Sequence, residues 1–157
     1  MTDAASPVAE LLQRLAGRDW SVGVAESLTG GLVLAELVSV PGASRSVRGG
    51  VVAYATDLKH SLLGVDADLL AAHGPVHAEV AAQMARGVRA ATGAAVGIAT
   101  TGVAGPDAQD GQPVGTVYIA VVTPESTQVR GLVLDGLRDE IRVASVRAAI
   151  ELALSVV

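Results

Sequence analysis

Three hydroxyl side chains stand where the sequence pattern predicts that a strand ends. Ser27 follows a strand predicted over 21–26, Tyr54 comes near the end of one predicted over 49–55, and Thr101 ends one predicted over 95–101. In open α/β sheets, ligands bind in the crevice beyond the carboxyl ends of the strands. We therefore predict that these three separate segments each supply a hydroxyl group to one shared crevice.

Lys59 is the candidate general base for a serine in that crevice. If Thr56 caps the helix after the second strand, Lys59 lies in the first helical turn, where the helix dipole disfavours a positive charge. The dipole and partial burial would both lower the pKa of the amine, as a lysine general base requires. No histidine motif accompanies the serine, so a Ser–Lys pair is chemically reasonable. The alternative is a solvated surface lysine.

The segment after Ser27 carries Thr29, Gly30 and Gly31 at a predicted strand-to-helix turn. Unpaired N–H groups at the start of a helix can stabilise an oxyanion or hold a phosphate, and glycine lets the backbone approach a ligand closely. The alternative is an ordinary helix cap followed by a glycine turn.

Two further segments can contact a ligand. The loop over 101–107 contains Gly102 and Gly105, and its backbone suits donation to a carbonyl or phosphate oxygen; the alternative is a surface loop. Arg138 and Arg142 lie one turn apart at the start of the last predicted helix. Arg142 can pair with a phosphate or carboxylate through its planar guanidinium group, and the alternative is a salt bridge with Asp139.

Composition argues against several classes of protein. The formal charge is −5 without a cluster of cations, which disfavours general nucleic-acid binding, and the absence of cysteine excludes disulfides and thiol catalysis. The three histidines form no metal-binding motif, so we expect neither a metal nor a cofactor. The longest apolar run, 117–122, is too short for a bilayer, and no signal peptide is visible. We expect a cytoplasmic protein without membrane attachment.

The pattern of predicted elements indicates an α/β fold. Helices are predicted from Pro7 to Gly17 and over 32–38, 56–63, 66–73, 78–91 and 138–156, and further strands over 115–123 and 127–134. Strands that alternate with helices favour a mostly parallel sheet covered on both faces, and a hairpin at 115–134 would make it mixed. We predict one domain over 1–157, a three-layer α/β/α sandwich.

The segments resemble, in order and spacing, the C-terminal domain family of competence-damage-inducible protein A (CinA), which includes stand-alone nicotinamide-nucleotide amidases. The motifs that carry the resemblance extend over nearly the whole chain. They are AES-x-TGG at 25–31, VPGAS with the downstream RGGVVAY and lysine at 40–59, LGV at 63–65, HG-x-V at 73–76, TG-x-AGPD at 101–107, PVGTV at 113–117 and R-x-x-x-R at 138–142.

The resemblance implies hydrolysis of nicotinamide mononucleotide to nicotinic acid mononucleotide and ammonia. Ser27 would be the nucleophile and Lys59 its base, while Tyr54 and Thr101 would assist proton transfer or position the amide. Substrate-binding roles would fall to Thr29, Gly30, Gly31, Gly102, Gly105 and Arg142. The resemblance also implies a homodimer, and the Ala-rich helix over 78–91 can pack closely against another subunit.

Three positions depart from the family pattern. Leu28 stands where cysteine is common, Gln112 where lysine is common, and Leu137 where aspartate is common. The altered loop over 107–112 motivates a second hypothesis, a non-catalytic pyridine-nucleotide-binding module that acts with a partner protein. A third, a phosphatase or nucleotide hydrolase, is disfavoured because the sequence shows no clustered metal-ligand carboxylates.

Overall fold

The computed structural model describes residues 6–157, so the first five residues of the predicted domain lie outside the described part. Pro7 and the Ser6 cap begin the first helix, as their residue types favour. The helices are α1 Pro7–Gly17, α2 Leu32–Val38, α3 Thr56–Leu63, α4 Ala67–His73, α5 Ala78–Thr92 and α6 Arg138–Val156, with a 3₁₀ turn at Ala43–Arg45. The strands are β1 Val22–Glu26, β2 Val47–Val52, β3 Val96–Gly102, β4 Thr116–Val122 and β5 Thr127–Val133.

The five strands form one mixed sheet in the order β2-β1-β3-β4-β5. β1 lies parallel to both β2 and β3, whereas β4 runs antiparallel to β3 and to β5. Because β5 returns to the direction of β3, only β4 opposes the other strands. The predicted α/β class and the hairpin of β4 and β5 are confirmed.

Alternate residues of the central strands point into two separate cores. Val24, Ile98 and Ile119 belong to the core with α1, α2 and α6, while their neighbours Ala99 and Ala120 belong to the core with α3, α4 and α5. This alternation follows from the two-residue period of a strand. The molecule is therefore a sheet between two helical layers.

The Ala-rich helix α5 packs against the sheet of its own chain. Ala81 and Ala85 are fully buried there, and a Cβ at Gly97 would overlap with the Ala85 carbonyl group. The small side chains serve a close helix–sheet contact, so this face of α5 is not free for the subunit contact that we considered for the helix.

Two predicted boundaries near the site are wrong. β2 ends at Val52 rather than at residue 55, because the chain leaves the sheet and bends at Ala55 before α3; the Ala53 N–H still donates to the Glu26 carbonyl oxygen of β1. The N-cap of α3 is Ala55 and not Thr56, which is the first helical residue. Lys59 nevertheless lies in the first turn of α3.

In the described part of the chain, no helix is long and apolar enough to cross a membrane.

Candidate active site

Ser27 lies in a tight turn between β1 and α2. The turn needs glycine at two places, since Gly30 and Gly31 have φ values of 58° and 107°, which other residues adopt at a cost. The Ser27 N–H donates to the Thr100 carbonyl oxygen at 3.1 Å, and this bond ties the turn to β3. The side chain of Ser27 thus reaches the carboxyl edge of the parallel strands, where it lines a cavity.

Lys59 lies beside Ser27 and is almost completely buried, with 1% of its surface exposed. Its Nζ atom is 2.9 Å from Ser27 Oγ. The amine also donates to the carbonyl oxygens of Ala53 at 2.7 Å and Tyr54 at 3.4 Å. Lys59 is the only lysine of the chain, whose other side-chain cations are arginine and histidine.

Burial lowers the pKa of Lys59 from 10.5 to about 8, because the charged form loses its hydration. A neutral amine has two hydrogens and one lone pair. The carbonyl groups of Ala53 and Tyr54 can accept both hydrogens, which leaves the lone pair for the hydroxyl hydrogen of Ser27. The arrangement is suited to a serine nucleophile with a lysine base.

The N–H groups in the first turn of α2 are not free to bind a ligand, contrary to our expectation. Val33 N–H donates to Glu26 Oε1 at 2.9 Å and Leu34 N–H donates to Oε2 at 3.1 Å. The buried carboxylate of Glu26 therefore takes the donors that the sequence suggested for an oxyanion or phosphate. Within residues 6–157, the N–H groups of Leu28, Thr29 and Gly31 in this turn make no hydrogen bond, and Leu28 is the candidate oxyanion donor because it directly follows Ser27.

Tyr54 and Arg138 stand together at the exposed rim of the cavity. Tyr54 is 62% exposed, and its hydroxyl accepts a hydrogen bond from Arg138 Nη2 at 3.3 Å. Arg138 Nη1 donates to the Gly105 carbonyl oxygen at 2.6 Å. From the sequence we expected Arg142 to contact the ligand, but it is Arg138 that lies in the cavity wall.

Arg142 supports the Ser27 turn from outside the cavity. Its Nε donates to the Leu28 carbonyl oxygen at 2.9 Å and its Nη2 to that of Thr29 at 3.3 Å. The alternative salt bridge with Asp139 is also present, at 3.9 Å, on a largely exposed carboxylate. An ion pair so exposed contributes little to stability.

The other predicted contact residues divide into two groups. Thr101, Gly102 and Gly105 line the cavity, and Thr101 Oγ1 donates to the Pro75 carbonyl oxygen at 2.7 Å. Thr29 is buried with its hydroxyl oxygen 2.8 Å from that of Thr100. In the described structure, Thr29, Gly30 and Gly31 shape the turn and do not line the cavity.

The cavity has a volume of about 90 Å³ and a predominantly polar wall. The sequence pattern gave no ligand contact to several further wall residues, although Val76 and Asp107 lie in quoted motifs and Thr56 was considered only as a helix cap: Thr56, Pro75, Val76, Asp107 and Gln109. A larger cavity of about 410 Å³ lies between α1, α2 and α6, where Val146 and Ile150 contribute an apolar wall. The candidate nucleophile and base lie only in the smaller one.

Among residues 6–157, no three acidic or histidine side chains are grouped as metal ligands.

A protein-family model of the CinA C-terminal domain matches residues 4–157. A CinA-like protein of Frankia casuarinae is 50% identical over 142 residues, which cover 90% of this chain and 33% of the relative. The chain spans about a third of the length of the curated relatives that it matches.

Solved structures share the fold over nearly the whole chain. Competence damage-inducible protein A (ComA) from Klebsiella pneumoniae superposes with a TM-score of 0.91 at 31% identity, covering 96% of this chain and 94% of that chain. The competence/damage inducible protein CihA from Agrobacterium tumefaciens has a TM-score of 0.86 at 33% identity, with 99% and 98% coverage.

Proposed function

Because the chain belongs to the CinA C-terminal domain family, we propose that it is a nicotinamide-nucleotide amidase. The reaction is hydrolysis of nicotinamide mononucleotide to nicotinic acid mononucleotide and ammonia. The observation that carries the proposal is the buried pair of Lys59 Nζ and Ser27 Oγ, 2.9 Å apart. A hydroxyl next to a base within hydrogen-bond distance is the arrangement that nucleophilic catalysis requires.

In the first half of the reaction, Ser27 Oγ attacks the amide carbon while neutral Lys59 takes the hydroxyl proton. The carbonyl oxygen becomes an oxyanion, which the Leu28 N–H stabilises; one such donor is worth roughly 3–4 kcal/mol in known enzymes. Lys59 then gives its proton to the amide nitrogen. The C–N bond breaks, ammonia leaves and an ester forms on Ser27.

In the second half, water takes the place of ammonia. The water oxygen attacks the ester carbon while Lys59 accepts a proton from the water. Lys59 then gives this proton to Ser27 Oγ as the bond between Oγ and the ester carbon breaks. The acid product leaves and the enzyme regains its starting state. One buried amine thus acts as base and acid in alternation, which a pKa of about 8 favours.

The small cavity suits the amide end of a nucleotide. Its volume of about 90 Å³ is well below the ~300–1,000 Å³ of pockets that enclose a whole ligand, so the sugar and phosphate extend to the rim. There Tyr54 offers an aromatic face and Arg138 a positive charge. Thr101 donates its hydrogen to Pro75, so its oxygen accepts from the substrate amide N–H.

Ammonia release from nicotinamide mononucleotide tests the proposal directly. We expect turnover by the wild-type protein and a loss of about 10⁴-fold or more in Ser27→Ala, because no other side chain replaces the nucleophile. Ser61→Ala is the matched control, since Ser61 is exposed on α3, and should retain full activity. Normal turnover by Ser27→Ala would overturn the mechanism. Binding of pyridine nucleotides without ammonia release from a panel of amides would instead favour the non-catalytic binding module.

A further inference from the structure

Glu26 is a buried carboxylate that no step of the reaction uses. It is 1% exposed and precedes the nucleophile in the chain. Burial of a carboxylate is costly unless hydrogen bonds replace the lost water, so a residue of this kind needs a structural explanation.

The hydrogen bonds of Glu26 explain how its burial is tolerated. Each carboxylate oxygen accepts one N–H group from the first turn of α2, at 2.9 Å from Val33 and 3.1 Å from Leu34. Bonds to a charged acceptor are stronger than neutral ones, and a negative charge is favourable at this end of a helix. Gly31, the N-cap, has no side chain to supply a cap of its own.

Glu26 also connects the two halves of the candidate catalytic pair. Its carboxylate fixes the start of α2, and the Ser27 turn is the segment between Glu26 and that helix. Its backbone carbonyl oxygen accepts from the Ala53 N–H at 2.9 Å, and the Ala53 carbonyl oxygen in turn accepts from Lys59 Nζ. Glu26 therefore binds both the helix start that follows the Ser27 turn and the backbone of Ala53, which binds Lys59.

We propose that Glu26 is a positioning residue that holds Ser27 Oγ in line with Lys59 Nζ by closing the turn across the start of α2. The role rests on the proposed serine chemistry. It predicts a change in turnover and not in substrate binding, because Glu26 does not line the cavity.

The test is Glu26→Gln, which keeps the size of the side chain but offers one acceptor where two N–H groups need one each. Turnover is measured by ammonia release from nicotinamide mononucleotide. The rate is divided by the concentration of folded protein, which circular dichroism gives. The nucleophile is measured separately, as the rate at which a fluorophosphonate probe labels Ser27, read by mass spectrometry. We expect kcat and the labelling rate to fall about 10- to 100-fold with KM unchanged, the usual effect of a small misplacement of a reacting group.

Glu36→Gln is the matched control, because Glu36 is an exposed residue on α2, the helix whose first turn Glu26 binds, and should leave both rates unchanged. Folded Glu26→Gln protein with wild-type kcat and labelling rate would overturn the positioning role while leaving the amidase proposal intact. If Glu26→Gln does not fold, Glu26→Asp replaces it, since a carboxylate one methylene shorter cannot reach both donors; wild-type rates there would also overturn the role. If the wild-type protein releases no ammonia and its Ser27 is not labelled, the proposed function and the positioning role are both overturned.

Discussion

At the scale of single residues, the site depends on the environment of one amine. Lys59 is the only lysine of the chain, and the fold places it inside the protein, where most lysines would be costly. Its two carbonyl partners, Ala53 and Tyr54, accept from the amine but carry no charge that would stabilise the ammonium form. The same burial that costs stability makes the amine available as a base.

The single lysine allows a direct measurement of this effect. In protein labelled with ¹⁵N-lysine, we expect one side-chain signal that titrates near pH 8 instead of near 10.5, because burial disfavours the charged form. Since the reaction needs the neutral amine, kcat/KM should rise with pH through the same midpoint. A side-chain signal that titrates at the ordinary value of an exposed lysine would contradict the assignment of Lys59 as base.

The lowered pKa of Lys59 also predicts how stability depends on pH. Between pH 8 and pH 10.5 the unfolded chain binds more protons at this residue than the folded chain, so the free energy of unfolding rises with pH. We expect it to rise by about 3 kcal/mol more in the wild type than in Lys59→Met from neutral pH to pH 10.5. Urea unfolding of both proteins over this range measures the difference. Parallel curves would show that the folded pKa is not depressed.

At the scale of elements, the position of the base depends on how closely α3 approaches α5. Lys59 and Leu63 lie one turn apart on α3, and the Leu63 carbonyl group fits against Gly87 of α5. A Cβ at position 87 would overlap with that carbonyl oxygen, which belongs to the backbone and cannot rotate away. The glycine thus sets the distance between the helix that carries the base and the rest of its layer.

Gly87→Ala tests this contact. We expect a loss of about 1–3 kcal/mol in the free energy of unfolding, the usual cost of overpacking, and a lower kcat because α3 must shift. Gly17→Ala is the control, since nothing lies within 4 Å of a Cβ there and alanine favours a helix. Equal stability of the two variants in urea unfolding would contradict the close packing of α3 on α5.

At the scale of the whole molecule, the family assignment and the sheet topology account for where the site lies. β1, β2 and β3 run parallel, so the loops after them meet at one edge of the sheet, as open α/β sheets require. The resemblance recognised in the motifs is confirmed by the family model over residues 4–157.

The dimer implied by the resemblance remains a prediction. The face of α5 that packs on the sheet cannot form the dimer interface, because it is already buried within the chain. The apolar side chains that stay exposed include Leu32 and Val38 on α2 and Val143 on α6. Because burial of such surface between two copies is favourable, we expect a dimer at micromolar concentration in sedimentation velocity. A single species of monomer mass would remove this expectation.

The sequence by itself determined the order of the elements and the residue types at the site. Apolar periodicity and turn residues are local signals, so α2 and α6 were predicted with the bounds that the structure has. The motifs likewise identified Ser27 and Lys59 as candidates for a catalytic pair before their distance was known.

Only the tertiary structure decided which groups meet. Arg138 and Arg142 are one turn apart, and only the packing of α6 in the fold shows that Arg138 lines the cavity while Arg142 binds the Ser27 turn. The cap of α2 comes from Glu26, outside the helix, which no local pattern of α2 reveals. Burial, and with it the lowered pKa of Lys59, is a property of everything that surrounds the amine, because desolvation depends on the neighbours in space and not on those in sequence.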